Sequence, residues 1–168
     1  MSAAADADYL RVRYPALLLV TVMLSTITVS LDATVANVVL PNVQGSLAAT
    51  QDQIAWVLTS YIVATAIFIP PTGFLAARFG RQRMLGGCIC GFLAASMLCG
   101  MATSLAEMVA FRFLQGAFGA GIGPLGQALV MDHYPQAKRG QAVALVGMGA
   151  SFGPVLGPTL GGYLTEAM

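Results

Sequence analysis

Two ionisable residues, Asp32 and Arg112, stand well inside long apolar stretches of this chain. At the centre of a bilayer each would cost about 2.5–3.5 kcal/mol on insertion scales, so such residues default to functional sites. Asp32 lies eight residues before Leu40, at the end of its stretch; at the rise of a helix that is roughly 12 Å below the boundary. Arg112 comes five residues after Glu107 on a stretch running the other way, so it lies roughly 8 Å down by the same arithmetic. The two opposite charges are therefore expected at nearly one depth. A carboxylate beside a guanidinium in a partly dehydrated cavity can hold or release a proton according to what else is bound. The plain alternatives are a static ion pair between helices, or an arginine that snorkels to the headgroups.

Asp32 ends a polar stripe. Thr21, Ser25, Thr28 and Asp32 are spaced by four, three and four residues and share one helix face, which should line water or another polar helix. Arg112, Gln115, Gly116 and Gly119 share a face in the same way. Ser25, Thr28, Gln115 and Gly116 are thus the candidates to line a cavity around the charges.

The elements that must position these groups follow from composition. The chain has 168 residues, 57% hydrophobic and 9% charged, with a formal net charge of +1 and a mean hydropathy of +0.77. A soluble domain carries about 25% charged residues, so this surface is made for lipid. The balance excludes a disordered chain and a nucleic-acid binder. Stretches of about 20 apolar residues, the length that crosses a hydrocarbon core, predict five spans near 15–39, 54–76, 84–102, 108–131 and 141–164, an all-α membrane protein. Short polar connectors join them: 41–53, 77–83, 103–107 and 132–140.

Charge sets the expected orientation. Arg11 and Arg13 precede the first span, Arg78, Arg81 and Arg83 fill the second connector, and Lys138 and Arg139 the fourth, whereas the first and third connectors contain no Lys or Arg. Basic residues are retained on the cytoplasmic side. Residues 1–14 are accordingly expected as a cytoplasmic tail, with Trp56 as an interfacial aromatic near the outer end of the second span. The first span is too long for a signal peptide, is interrupted by Asp32, and has no prompt A-x-A cleavage site.

The fifth span carries Gly149, Gly153, Gly157 and Gly161 at every fourth position, with Pro154 and Pro158 beside two of them. The glycines leave a groove for a neighbouring backbone, and the prolines remove internal hydrogen bonds and bend the helix. Two catalytic patterns are coincidental. Gly149-Ala-Ser151-Phe-Gly153 matches G-x-S-x-G, but it lacks a strand-turn-helix context, and the only histidine, His133, belongs to the far end of the fourth span. Gly121-Ile-Gly123-Pro-Leu-Gly126 matches G-x-G-x-x-G without a preceding strand. Cys88, Cys90 and Cys99 fit no metal spacing. An enzyme, a metal site and a cofactor other than protons as the coupling ion are not expected.

Four segments carry a resemblance. Leu31-Asp32-Ala-Thr34-Val-Ala-Asn37-Val-Val-Leu-Pro41, Gly73-Phe-Leu-Ala-Ala-Arg78-Phe-Gly80-Arg81-Gln-Arg83, Arg112-Phe-Leu-Gln115-Gly116 and Gly149 to Gly162 resemble, in order, the first-span signature, the loop between helices two and three, the fourth-helix motif and the fifth-helix antiporter motif of the major facilitator superfamily. The resemblance is to its fourteen-span drug:proton antiporters of the EmrB/QacA type. It implies most of an N-terminal six-helix half, over residues 15–168. It further implies proton coupling at Asp32 and Arg112, a cytoplasmic gate at Gly73, Arg78, Gly80 and Arg81, and an antiporter helix motif at Gly149, Gly153, Pro154, Gly157, Pro158 and Gly161, in which Gly153-Pro154 and Gly157-Pro158 are part of a seal that limits leak. Ala77 departs from the acidic residue usual in that loop, which weakens a charge relay there.

The function this implies is proton-coupled efflux of amphipathic or cationic compounds across the inner membrane. Two six-helix halves rock about a midplane site in such proteins, so five spans are expected to be a fragment that needs the remaining helices. A periplasmic adaptor and an outer-membrane channel are partners the resemblance allows, besides the lipid bilayer. The rivals are a superfamily uniporter or importer of a small metabolite, for which the Gly-Pro fifth helix is not expected, and a non-transporting scaffold, which leaves the cost of Asp32 and Arg112 without a return.

Overall fold

The computed structural model describes residues 15–46 and 50–167. The tail with Arg11 and Arg13 lies outside the described residues, as do 47–49 and 168. The described chain is all helix: α1 (Pro15–Ser46), α2 (Gln51–Phe79), α3 (Arg81–Gly100), α4 (Leu105–His133) and α5 (Gln136–Ala167). Surroundings near the ends of α1 and α5, including those of Gly161, are outside the described residues.

The helices outrun the predicted spans, and the connectors shrink. The second connector, expected over 77–83, is Gly80 alone, which ends α2 and precedes α3. Its φ of +90° is strained for any residue with a Cβ, so a reversal this tight needs glycine. The fourth connector contracts to Tyr134 and Pro135. Pro41, expected to open the first connector, lies inside α1 instead. Membrane helices tolerate such prolines because neighbours can satisfy the freed carbonyls.

Side-chain caps define two helix starts. Thr50 accepts from the Gln53 amide while the Gln53 side chain accepts from the Thr50 amide, a reciprocal box that opens α2. At α4, Ser104 accepts from the Glu107 amide at 3.3 Å, and Glu107 Oε2 accepts from the backbone and hydroxyl of Thr103 at 2.9 and 3.0 Å. Chiefly the Thr103 amide, and then its hydroxyl, hold the Glu107 carboxyl below the usual carboxylate range.

α1 packs along α5, and α4 packs along both α2 and α3. The common core joins Val22 of α1, Phe92 of α3, Ile122, Leu125 and Val130 of α4, and Val146 of α5. Leu17, Ile62, Phe74, Met97 and Val155 face outward, as lipid-facing side chains should. Four of the five helices, α1, α2, α3 and α5, are long and apolar enough to cross a membrane. α4 falls short of that apolarity because it carries Arg112, Gln115, Gln127 and many glycines. Its neighbours compensate, since they bury α4 along most of its middle, from Gln115 to Val130, and a helix shielded by protein need not be apolar all round.

Candidate functional site

Among the described residues, opposite charges meet inside the bundle between α1 and α4. Arg112 Nη1 donates to Asp32 Oδ2 at 2.8 Å, with side chains only 13% and 16% exposed. Gln115, fully buried one turn along α4, donates through Nε2 to the other carboxylate oxygen, Asp32 Oδ1, at 3.0 Å. The Gln115 carbonyl oxygen in turn accepts from the Cys99 thiol of α3 at 3.8 Å. Both carboxylate oxygens are thus engaged, and three helices meet at one acid.

Periodicity explains why these groups converge. Arg112 and Gln115 are three residues apart and share a face of α4, while Asp32 stands on the α1 face turned to them. Arg112 Nε is buried with no hydrogen-bond partner among the described residues. A buried donor left unmatched costs about 1–3 kcal/mol. The constellation is therefore not the arrangement that stability alone would select.

A cavity of about 460 Å³ borders the pair. Thr28, Asp32, Ser96, Cys99 and Arg112 supply its polar edge, and Leu31, Val35, Val39 and Met108 its apolar walls. A second, of about 260 Å³, lies further along α1 and is lined by Thr21, Ser25, Thr28, Phe92 and Ile122. The stripe Thr21–Ser25–Thr28 therefore faces open space. Its hydroxyls nevertheless donate to their own helix, to Leu17, Thr21 and Leu24 carbonyls at 2.9, 2.7 and 2.9 Å. What they present outward is mainly acceptor capacity.

Two residues expected to line the cavity do something else. Gly116 packs on α2, where a Cβ would collide with the Tyr61 backbone carbonyl and meet Ala64; its missing side chain serves helix contact. Gln115 is closed off from open space and acts on Asp32 directly.

At the basic end of the bundle, Arg81, first residue of α3, pairs with Asp132 near the end of α4. Both are substantially exposed, 50% and 40%, so the bond is worth at most about 1 kcal/mol. Arg78 does not join it and lies over the Phe79 ring at 5.9 Å. Gly73 faces open space, and Gly80 makes the turn. The expected gate residues therefore separate into one ion pair, one ring contact and two backbone positions. Sequence reasoning missed Asp132, whose signal was an acidic residue in an otherwise basic connector.

The Gly-Pro helix lies along α1. Gly149 approaches Met23 and Ile27, Gly153 approaches Ser30, and Gly157 approaches Thr34. Ser30 Oγ donates to the Ala150 carbonyl at 2.6 Å, and Thr34 Oγ1 lies 3.0 Å from the Gly153 carbonyl. From the sequence, Thr34 stands out only as part of a motif, and Ser30 does not stand out. The sequence signal was a hydroxyl every fourth residue on α1 opposite a glycine every fourth residue on α5.

Comparison with known proteins decides the family, for the family description "Major Facilitator Superfamily" matches residues 22–168. The chain belongs to the Major Facilitator Superfamily. Relatives within it include the fatty acid resistance protein FarB of Neisseria gonorrhoeae, 47% identical over 80% of this chain and 27% of that protein. The multidrug export protein EmrB of Haemophilus influenzae is 44% identical over 90% of this chain and 30% of its own length. That of Escherichia coli K12 is 41% identical over 89% and 30%. The chain thus spans about 30% of the length of these relatives. The fold is shared with the solved structure of a bacterial homologue of the human lysosomal transporter Spinster, inward-facing and unoccupied. The TM-score is 0.82 at 24% identity, over 92% of this chain and 32% of that one.

Proposed function

We propose that these five helices serve the proton-coupled export of amphipathic or cationic compounds, with Asp32 as the proton-carrying group and Arg112 as its electrostatic partner. The observation that carries this reading is the three-residue constellation itself. One carboxylate bordering a mostly apolar cavity is held by a guanidinium on one oxygen and by a neutral amide on the other. A proton taken up by Asp32 neutralises the carboxylate and weakens its hold on Arg112, because the pairing depends on the negative charge. A cationic substrate entering the same cavity favours the charged carboxylate and therefore release of that proton. Mutual exclusion of proton and cation at one acid is the elementary requirement of antiport.

Support also comes from the relatives, two of which bear the name multidrug export protein. The apolar walls suit a greasy molecule, and the few polar groups at one edge suit orientation of its charged end. On this reading the basic end of the bundle, with Arg78, Arg81, Arg83, Lys138 and Arg139, is cytoplasmic, and the membrane is the inner membrane. Transport itself requires a second half against which this one can rock, and an adaptor with an outer-membrane channel would complete passage out of the cell.

The test is efflux of ethidium from cells or vesicles. The helices are joined to the remaining helices of Escherichia coli EmrB, with and without Asp32→Asn. Asparagine keeps the size and hydrogen-bonding reach but cannot carry the proton. Loss of proton-driven ethidium export with the protein still folded in the membrane is expected. Export that continues at the original rate, driven by the same gradient, would overturn the assignment.

A further inference from the structure

Proline has no amide hydrogen, so in α5 Pro154 leaves the carbonyl of Ala150, four residues earlier, without its helical donor. In lipid such a carbonyl must find a partner elsewhere, since no water is at hand. Ser30 of α1 donates to that carbonyl at 2.6 Å. Its approach is possible because residue 153 is glycine, where a Cβ would run into the Ser30 hydroxyl and backbone. The Gly153-Pro154 pair therefore has a joint meaning, in which the proline frees an acceptor and the glycine makes room for the donor.

Other hydroxyls that cross between helices differ in this respect. Thr34 reaches the Gly153 carbonyl and Thr65 the Gly116 carbonyl, at 3.0 and 3.3 Å, but residues 157 and 120, four positions on, are glycine and alanine and retain their own amide donors. Those bonds supplement a helix. Ser30 instead replaces a bond that the helix lacks.

We infer that Ser30 is a positioning residue for Asp32, with its hydroxyl standing in for the missing amide of Pro154 and locking the height and rotation of α1 against the bend of α5. Ser30 and Asp32 are two residues apart, which on a helix sets them on nearly opposite sides. A bond on the α5 side of α1 thereby aims the carboxylate on the α4 side. The groups facing Asp32 are Arg112 and Gln115 of α4 and Cys99 of α3, with Tyr61 of α2 in electrostatic reach. That aim matters for transport only if the Asp32 proton reading above holds, whereas the bond itself does not depend on it.

The experiment is a double-mutant cycle on the thermal unfolding of the 168-residue chain in lipid nanodiscs. Ser30→Ala is expected to lower the folded-to-unfolded ratio about tenfold, the worth of one hydrogen bond. In a Pro154→Ala background, where residue 154 again supplies an amide, the same change is expected to lower it no more than roughly twofold. Equal losses in both backgrounds, or none in either, would overturn the inference. Should Pro154→Ala fail to fold, an infrared label on the Ala150 carbonyl decides instead: its amide band moves to higher frequency in Ser30→Ala, and an unmoved band overturns the assignment. In the joined transporter, Ser30→Ala is expected to shift the pH of half-maximal ethidium export, and an unshifted profile would strike out the positioning of Asp32. If Asp32→Asn leaves export intact, the proton reading fails, and the unfolding cycle still judges the Ser30 bond.

Discussion

Gln115 donates to the carboxylate oxygen of Asp32 that Arg112 leaves open, at 3.0 Å and from a side chain with no exposed surface. A neutral amide in this place holds the carboxylate without adding charge, and the Cys99 thiol at its other end fixes which way the amide points. Removing it strands a carboxylate oxygen in a part-buried site. Gln115→Leu is expected to destabilise the folded chain by about 1–3 kcal/mol, read from thermal unfolding in detergent. A change within the error of that measurement would mean that the amide does not serve the acid.

The ion pair makes a second prediction that separates pairing from mere bulk. Removing one partner of a buried pair leaves an uncompensated charge and costs about 3–5 kcal/mol, whereas replacing both with apolar residues is often close to neutral. Arg112→Leu alone should therefore be more destabilising than Arg112→Leu combined with Asp32→Leu. Both are measured as the unfolding midpoint of purified protein in the same lipid. The double variant is expected to fold and yet to be silent in ethidium export, so stability and transport part company at these positions.

Two glycines of α4 should respond unequally to the same small change. At Gly116 a methyl group would collide with the Tyr61 backbone carbonyl, which cannot swing away as a side chain can. Gly116→Ala is expected to cost about 1–3 kcal/mol through overpacking. Gly123 has open space where its Cβ would go, so Gly123→Ala is expected to change stability by less than about 0.5 kcal/mol. Equal effects would show that α2 and α4 do not approach as closely as they do here.

At the start of α4 the Glu107 carboxyl, held below its ordinary range by the Thr103 amide and hydroxyl, should make the cap sensitive to acid. A carboxyl whose folded-state value is depressed adds stability that is present above its unfolded value and is lost as the pH falls through the folded one. Amide hydrogen exchange over residues 104–108, taken relative to the intrinsic rate of an unstructured chain at each pH, is expected to accelerate on acidification below the usual carboxylate range. In Glu107→Gln that acceleration should disappear.

Much of this was legible in the residues alone. Five apolar stretches dictated five helices, because a bilayer offers the backbone no other partner. Two charges within them marked α1 and α4 as the helices that matter, and the spacing of Arg112 and Gln115 put both on one face. The helix ends were less legible, since hydropathy falls away before hydrogen bonding does: α1 runs past Pro41, and the seven-residue connector at 77–83 is one glycine. Nor did apolarity count reveal why α4 can be the least greasy helix, which follows only from its enclosure by α2 and α3.

What tertiary structure alone decided is who meets whom. Spacing states the face on which a residue lies but not the helix that face will touch, because several packings of five helices satisfy the same pattern. The contact of Arg112 and Gln115 with the two oxygens of Asp32, the burial of Gly116 against Tyr61, and the delivery of the Ser30 hydroxyl to the carbonyl freed by Pro154 are all long-range matches between α1 or α2 and helices far along the chain. Each arises from close packing, and beside Gly153 the absence of a single Cβ lets the Ser30 hydroxyl come near enough to answer the hydrogen bond that Pro154 leaves unmet.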